Sequence, residues 1–254
     1  MTRQAIQPAI HNLNLDAEVT IVIPTFNERG NIAQLCHDID HIMASSNYSH
    51  EIIIVDDNSP DDTAEEVQHL QSLYPIKLIR RTQERGLSSA VVCGIIAATG
   101  KIVVVMDADL SHPAKYIPQL IEPIHKGEVQ LTLATRFAGN GGTQNWPLRR
   151  RIVSSTARRI AGAVTNVSDP TSGFFAIKRD LAVSTPTRTL GWKIALEYIA
   201  RSRVPVTEIP FVFYDRKTGQ SKLSTRHAAE FVLQVALLLL NRILYAIKIT
   251  SETK

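Results

Sequence analysis

Along residues 19–200, short apolar runs alternate with stretches of helical periodicity. Residues 102–106 form an unbroken apolar, mostly β-branched run, which predicts a central parallel strand covered on both faces. Similar runs predict strands at 19–24, 51–55, 76–79 and 130–134. Between them, helices are predicted at 31–45, 62–73, 88–98 and about 114–125. In the first of these, Ile32, Leu35, Ile39 and Ile42 recur at the three- and four-residue spacing of one helix face. The β-α-β-α order implies an α/β fold with a mostly parallel, doubly wound sheet flanked by helices. A further helix is predicted to begin near Pro147.

The last apolar stretch differs. Residues 228–249 are dominated by Leu, Val, Ile and Ala, but Glu230, Gln234, Asn241, Arg242 and Lys248 interrupt them. With no 18-residue uncharged run, a spanning helix is not expected. At 100° per residue, Glu230, Gln234, Asn241, Tyr245 and Lys248 fall on one narrow stripe, leaving a wide apolar face. Phe231, Val232, Val235, Leu238, Leu239 and Ile243 are then available to an acyl boundary, as in a helix lying in the membrane interface. A helix docked on a partner or packed on the core would show the same pattern. The chain thus divides into a disordered tail (1–18), a catalytic-sized α/β domain (19–224) and a C-terminal amphipathic helix with its tail (225–254).

Composition narrows the function classes. At 254 residues and 44% hydrophobic content, one large domain is favoured over two small ones. The net charge of +4 suits anionic ligands without choosing among them. Cys36 and Cys93 show no metal or redox spacing and read as reduced thiols of a cytosolic protein. Residues 1–18 contain no seven-residue apolar run, so no secretory signal is expected.

The chemistry collects at strand ends. Asp107 and Asp109 follow the central strand one residue apart, where open α/β sheets place ligands. Two such close carboxylates repel unless a proton or cation lies between them, and Mg²⁺ or Mn²⁺ holding substrate phosphates is the usual reason for the arrangement. The alternative is a solvated acidic turn. After the first strand comes Pro24-Thr-Phe-Asn-Glu28, and after the second Asp56-Asp-Asn-Ser-Pro-Asp-Asp62. Asp61 or Asp62 suits a helix N-cap, whereas Asp56 suits a contact to a ribose hydroxyl or base N–H. No G-x-G-x-x-G follows the first strand, which argues against a dinucleotide-binding enzyme. A nucleotidyltransferase would want a glycine-rich basic loop there, and none is present.

Basic residues gather later: Arg149, Arg150, Arg151, Arg158 and Arg159, then Arg216, Lys217 and Lys222. Arg150 and Ser154 lie four apart on the predicted helix and share a face suited to two oxygens of one phosphate. Nucleic acid is not the expected partner, because only Trp146 supplies an aromatic near these arginines.

The strings P-T-F-N-E (24–28), D-D-N-S-P-D (56–61), R-G-L-S-S-A (85–90) and D-A-D-L-S-H-P (107–113) resemble inverting glycosyltransferases of family 2. N-W-P-L-R-R (145–150), T-S-G-F (171–174) and D-R-x-x-G-x-S-K-L (215–223) narrow the resemblance to the polyprenol-phosphate (dolichol-phosphate) mannosyltransferases. The resemblance implies a GT-A fold, a nucleotide-sugar donor, a polyprenyl phosphate acceptor and a divalent cation, Mg²⁺ or Mn²⁺. By it, Pro24, Thr25 and Glu28 line the nucleoside pocket, Asp56 with Asp57 contacts base or ribose, and Asp107, Ala108 and Asp109 meet the donor diphosphate. Asp107 and Asp109 hold the metal, with Ser111 ligating directly or through water. Arg136, Arg150 and Ser154 receive the acceptor phosphate, Arg216 or Lys222 neutralises the departing diphosphate, and Asp109 also orients the acceptor.

Several positions depart from the family pattern. Phe26 lacks the phenolic hydroxyl common there, Ser88 replaces a glycine but could cap the next helix, and Trp192-Lys-Ile-Ala-Leu-Glu197 lacks a common glutamine. The expected reaction is transfer of mannose from GDP-mannose by a cytoplasmic protein peripheral on the cytosolic face of a membrane. A glucosyl- or N-acetylhexosaminyltransferase using a UDP-sugar, or an inactive nucleotide-sugar-binding subunit, remains the alternative.

Overall fold

A computed structural model describes residues 17–144, 146, 148–189, 191–214 and 225–252. In chain order the elements are β1 (Val19–Thr25), α1 (Arg29–Ala44), β2 (His50–Asp56), α2 (Thr63–Leu70), β3 (Ile76–Arg80), α3 (Leu87–Ala97) and β4 (Ile102–Val105). A 3₁₀ turn at Ala114–Tyr116 leads into α4 (Ile117–His125), followed by β5 (Leu131–Thr135), β6 (Gly142–Thr143) and α5 (Leu148–Ala161). The chain continues with β7 (Phe175–Lys178), α6 (Arg179–Ser184), α7 (Ile194–Ser202), β8 (Val206–Pro210), β9 (Val212–Phe213) and α8 (Thr225–Glu252). Every strand and helix expected from periodicity is present within a few residues of its expected bounds. The tail at 1–16 lies outside the described residues, and Ala17, expected in that tail, is already buried.

The main sheet has the order β3-β2-β1-β4-β7-β5-β8, and β6 pairs with β9 beside it. Strands β1 to β4 are mutually parallel, as expected. Strands β7 and β8 are the additions to this sheet: β8 pairs in parallel with β5 at the edge, whereas β7 lies between β4 and β5 and runs antiparallel to both. Alternation within strands sorts the core into two layers. Ile21, Ile23, Ile54 and Val104 meet α1, α2 and α4 on one face. Val22, Ile53, Val103 and Val105 meet α3 and α7 on the other. Gly94 allows α3 to sit directly on β1, since a Cβ there would overlap the Val22 side chain.

Helix α8 corrects the expectation for its faces. Phe231, Val235 and Leu238, assigned above to an acyl boundary, are buried against Ala161, Val164 and Leu196 of the α5 and α7 region. Gln234 of the polar stripe is buried with them and donates Nε2 to the Lys193 carbonyl (3.1 Å) and to Glu197 Oε1 (3.3 Å). The inner face is therefore mixed, because a polar side chain can be buried when it finds backbone and carboxylate acceptors. Val232, Leu233, Leu239, Leu240, Ile243 and Leu244 are large aliphatic residues of α8 that stay exposed. Leu148, Ile152 and Val153 of α5, which contacts α8, are exposed as well. The stretch His227–Ala246 is long and apolar enough to cross a membrane by length and composition, which its interrupting charges had argued against.

Candidate active site

Parallel register sets Thr25 beside Asp56 and Val22 beside Val105, so the loops after β1, β2 and β4 leave the sheet side by side. Pro24 and Thr25 are buried at that edge, with Thr25 Oγ1 donating to the Val55 carbonyl (3.3 Å). The first two loops form one unit. Asn27 N–H donates to Ser59 Oγ (2.9 Å) and Glu28 N–H to Thr63 Oγ1 (3.0 Å), while the half-buried Glu28 accepts from Asn31 Nδ2 (2.8 Å). Phe26 lies under the Arg85 guanidinium, 5.3 Å from ring centroid to Cζ.

Two donor-side aspartates also have structural partners. Asp56 is fully buried and accepts from Ser59 N–H (3.0 Å), Ser59 Oγ and Thr25 Oγ1 (3.4 Å). Its carboxylate thereby closes the loop at the end of β2. Asp57 accepts from Arg81 Nε (2.7 Å) and Gly86 N–H (2.8 Å), and the same guanidinium donates to Ser89 Oγ (2.9 Å) and the Gly86 carbonyl (3.0 Å). This buried pair fastens the end of β2 to the 81–89 loop. Asp61 takes the capping task, accepting from Thr63 N–H (3.2 Å). Ser88 is no cap: Gly86 holds that position in α3, and Ser88 Oγ donates to the Gly191 carbonyl (2.8 Å).

The acidic turn is where expected. Asp107 keeps 34% of its side chain exposed, whereas Ala108 and Asp109 are buried. Ser111 N–H donates to Asp109 Oδ1 (3.1 Å), and Leu110 takes a left-handed φ of 62° to make the turn. A bulky residue adopts that conformation only when its surroundings hold it there. Ser111 Oγ is buried and has no hydrogen-bond partner among the described residues. Two carboxylates and an orphaned hydroxyl in one turn make an oxygen donor set that fits Mg²⁺ or Mn²⁺. Among the described residues no group of three or more His, Cys, Asp or Glu could hold a metal ion, so the other positions on such an ion would fall to water and substrate oxygens.

His112 supports Asp107 from beneath. Asp107 N–H donates to His112 Nδ1 (3.0 Å), and Nε2 lies 3.8 Å from Asp107 Oδ2. The ring stacks on Phe174 (centroids 5.0 Å apart) and meets Phe211 and Phe213 edge-on. Burial pushes its pKa down against the opposing pull of Asp107 and Asp109, which favours a neutral ring. Gly173 of T-S-G-F borders the carboxylate: a Cβ there would sit 3.4 Å from Asp107 Oδ1 and 3.7 Å from Oδ2. Gly173→Val is thus expected to abolish metal-dependent nucleotide binding in calorimetry, with Gly173→Ala, whose Cβ makes only van der Waals contact, retaining it. Unaltered binding by the valine variant would show that the carboxylate is used from another side.

Beyond this turn stands a cationic wall. Arg136 donates Nε to Asp169 Oδ2 (2.6 Å), Nη2 to Asp169 Oδ1 (2.7 Å) and its backbone N–H to Oδ2 (3.1 Å). Nη2 also reaches Thr171 Oγ1 (2.9 Å). The Arg150 guanidinium lies over Trp146, 4.5 Å from its centroid, and 5.3 Å from that of Phe213. Ser154 Oγ, one turn along α5, is buried with no partner among the described residues. A cavity of about 380 Å³ opens between Arg136, Phe137 and Trp146 on one side and Arg151, Ser155 and Arg158 of α5 on the other. Arg216 and Lys222 lie outside the described residues.

Sequence reading missed Asp169, His112 and Lys193. Lys193 donates Nζ to the Thr171 carbonyl and lies over the Trp192 ring at 3.8 Å. Burial first, then the Arg136 charge, push its pKa down to about 7. A lysine in an otherwise apolar helix start (Trp192-Lys-Ile-Ala-Leu) and an aspartate just before Pro170-Thr-Ser-Gly were the available signals.

Residues 20–184 match the family described as glycosyl transferase family 2. The dolichol-phosphate mannosyltransferase of Saccharomyces cerevisiae is 40% identical over 87% of this chain and 86% of its own length. The enzyme of the same name from Pyrococcus furiosus is 41% identical over 86% of this chain, which spans 62% of that relative. Among solved structures, glucosyl-3-phosphoglycerate synthase from Mycobacterium tuberculosis, in complex with Mn²⁺, UDP-glucose and phosphoglyceric acid, superposes with a TM-score of 0.62. The match covers 89% of this chain and 79% of that one at 22% identity, and it shows the shared GT-A fold. With an acidic turn at the expected sheet edge and these sequence matches over most of its length, the chain belongs to glycosyl transferase family 2, among the dolichol-phosphate mannosyltransferases.

Proposed function

We propose that this protein transfers mannose from GDP-mannose to a polyprenyl (dolichyl) phosphate, with inversion at the anomeric carbon. The observation that carries this reading is the meeting, at one sheet edge, of an oxygen-rich acidic turn with a wall of arginines around a cavity. The attacking group is a phosphate monoester whose second pKa is about 6, so it is anionic at neutral pH and needs no strong general base. Arg150 with Ser154, and Arg136 held by Asp169, fix this phosphate for in-line attack. The new C1–O bond forms on the face opposite the nucleoside diphosphate, which leaves with the bonding electron pair. Asp107, Asp109 and Ser111 would hold the divalent cation, which supplies positive charge against the departing diphosphate. Arg216 and Lys222 are assigned to that diphosphate by family pattern.

The test is an assay of purified protein with Mn²⁺ or Mg²⁺, a panel of GDP- and UDP-sugars and a short polyprenyl phosphate. GDP-mannose should be the preferred donor, the product a β-linked phosphodiester, and excess chelator should stop the reaction. Faster turnover of a UDP-sugar or full activity in chelator would overturn the assignment.

Supporting residence at a membrane surface are the exposed apolar residues of α8 and α5. Each large aliphatic side chain buried contributes about 1.5 to 3 kcal/mol. Val232→Glu with Leu240→Glu, both half-exposed, is expected to lower partitioning onto anionic vesicles by at least about tenfold while preserving the melting temperature. Unchanged partitioning would remove α8 from the membrane contact.

A further inference from the structure

We propose that Lys193 is an anion ligand of this site: its ammonium takes a phosphate oxygen of the bound substrates where the Asp107 turn meets the Arg136 and Arg150 wall, and Gln234 of α8 aims it. The inference rests on the site's being one that handles phosphate, but not on the identity of the sugar or lipid.

An ammonium carries three donors, and an enclosed one is ordinarily paired with a carboxylate. Among the described residues Lys193 Nζ has one acceptor, the Thr171 carbonyl, and no carboxylate within ion-pair distance. The charges it feels are those of the site itself: Arg136, Asp107, Asp169 and Arg150. Asp169 is occupied by the bidentate grip of Arg136, and Asp107 lies on the acidic turn. Lys193 is half-buried, and a cation held there with no carboxylate paired to it is disfavoured, in line with a pKa pushed down to about 7. A chain with no use for that charge would do better with methionine there. What lies within the reach of these neighbours, and what two arginines beside an oxygen-rich acidic turn recognise, is phosphate.

The backbone around Lys193 is held on both sides. The Gly191 carbonyl accepts from Ser88 Oγ of α3 (2.8 Å), with Gly191 at φ +68° making the bend. The Lys193 carbonyl accepts from Gln234 Nε2 of α8 (3.1 Å). Departure of Ser88 from the capping role and burial of Gln234 in an apolar face thus have one explanation: both fix the peptide that aims Lys193.

The experiment compares wild type with Lys193→Met by thermal melting, alone, with inorganic diphosphate plus Mn²⁺, and with a short-chain polyprenyl monophosphate. The anion-induced rise in melting temperature decides. It is expected to fall to less than half in the variant in at least one arm, together with a loss of kcat/KM of about a hundredfold. A loss confined to diphosphate assigns Lys193 to the leaving group, and one confined to the monophosphate assigns it to the attacking group. Equal protection of variant and wild type in both arms would overturn the proposal, whatever the variant's own stability. If the donor panel shows no mannosyl transfer, anion protection of wild type still allows the comparison. Gln234→Leu should lower kcat about tenfold in wild type and have no further effect on top of Lys193→Met. An equal effect in both backgrounds would overturn the aiming role.

Discussion

Asp107→Asn is expected to cut transfer by about a hundred- to a thousandfold, the range seen when one stabilising group is removed from developing negative charge, while leaving the melting temperature almost unchanged. The asymmetry between the two aspartates is the reason. Asp107 is one-third exposed, and its structural tie to His112 runs through the backbone N–H, which asparagine keeps. Both of its side-chain oxygens border Gly173. Asp109 is buried, accepts the Ser111 N–H and closes a turn that already holds Leu110 in a left-handed conformation. Asp109→Ala should therefore lose activity and, by leaving a buried donor unsatisfied, about 1 to 3 kcal/mol of stability as well. Only the Asp107 variant separates cation binding from fold. Wild-type turnover by Asp107→Asn with Mn²⁺ present would remove this carboxylate from the reaction.

Asp169→Asn is expected to give the largest loss of stability from one substitution at this site. Breaking a buried ion pair by removing one partner costs about 3 to 5 kcal/mol, or very roughly 6 to 20 °C in Tm for a chain of this size. Here three hydrogen bonds from Arg136 converge on one fully buried carboxylate. Burial by itself would raise the Asp169 pKa, but the Arg136 hydrogen bonds and charge outweigh it and hold the group below the usual carboxylate range. Because the folded value lies below the unfolded value of about 3.9, the stabilisation is fully present above pH 3.9 and is lost as pH falls through the folded pKa. Wild type should show this acid-induced loss and Asp169→Asn should lack that component, being less stable throughout the neutral range. A variant that melts like wild type at pH 7 would show that Arg136 is held by other contacts.

The parallel half of the sheet was legible because its strands are buried on both faces and so read as continuous apolar runs, with Ile52 to Val55 and Ile102 to Val105 the clearest. Strand β7 was not legible: Phe-Ala-Ile-Lys is four residues long, and no local pattern encodes which way it runs. Asp107 and Asp109 could be placed because their geometry is that of one turn. The loop-closing hydrogen bonds of Asp56 and the Arg81 pairing of Asp57 were not legible, because closing an Asx-type loop and pairing with a distant arginine call for the same side chain as binding a ribose. Asp169 and Lys193 become site residues only through tertiary contacts with Arg136 and Thr171. For α8, periodicity found the polar stripe containing Gln234 but could not say which side of the helix the protein would cover.

Because β7 runs against its neighbours, Gly173 enters the sheet at the edge where Asp107 leaves it. During synthesis the acidic turn thus emerges from the ribosome long before the segment that borders it. Until β7 docks, β4 presents an open flank of unpaired backbone groups, and His112 lacks the Phe174, Phe211 and Phe213 rings that later enclose it. A nascent chain that stops short of β7 is therefore aggregation-prone and has no finished nucleotide ledge, and pairings this distant in sequence form slowly. Catalytic competence in this protein arrives late, with the closing of that flank, and the first half of the chain is expected to have no activity as a separate fragment.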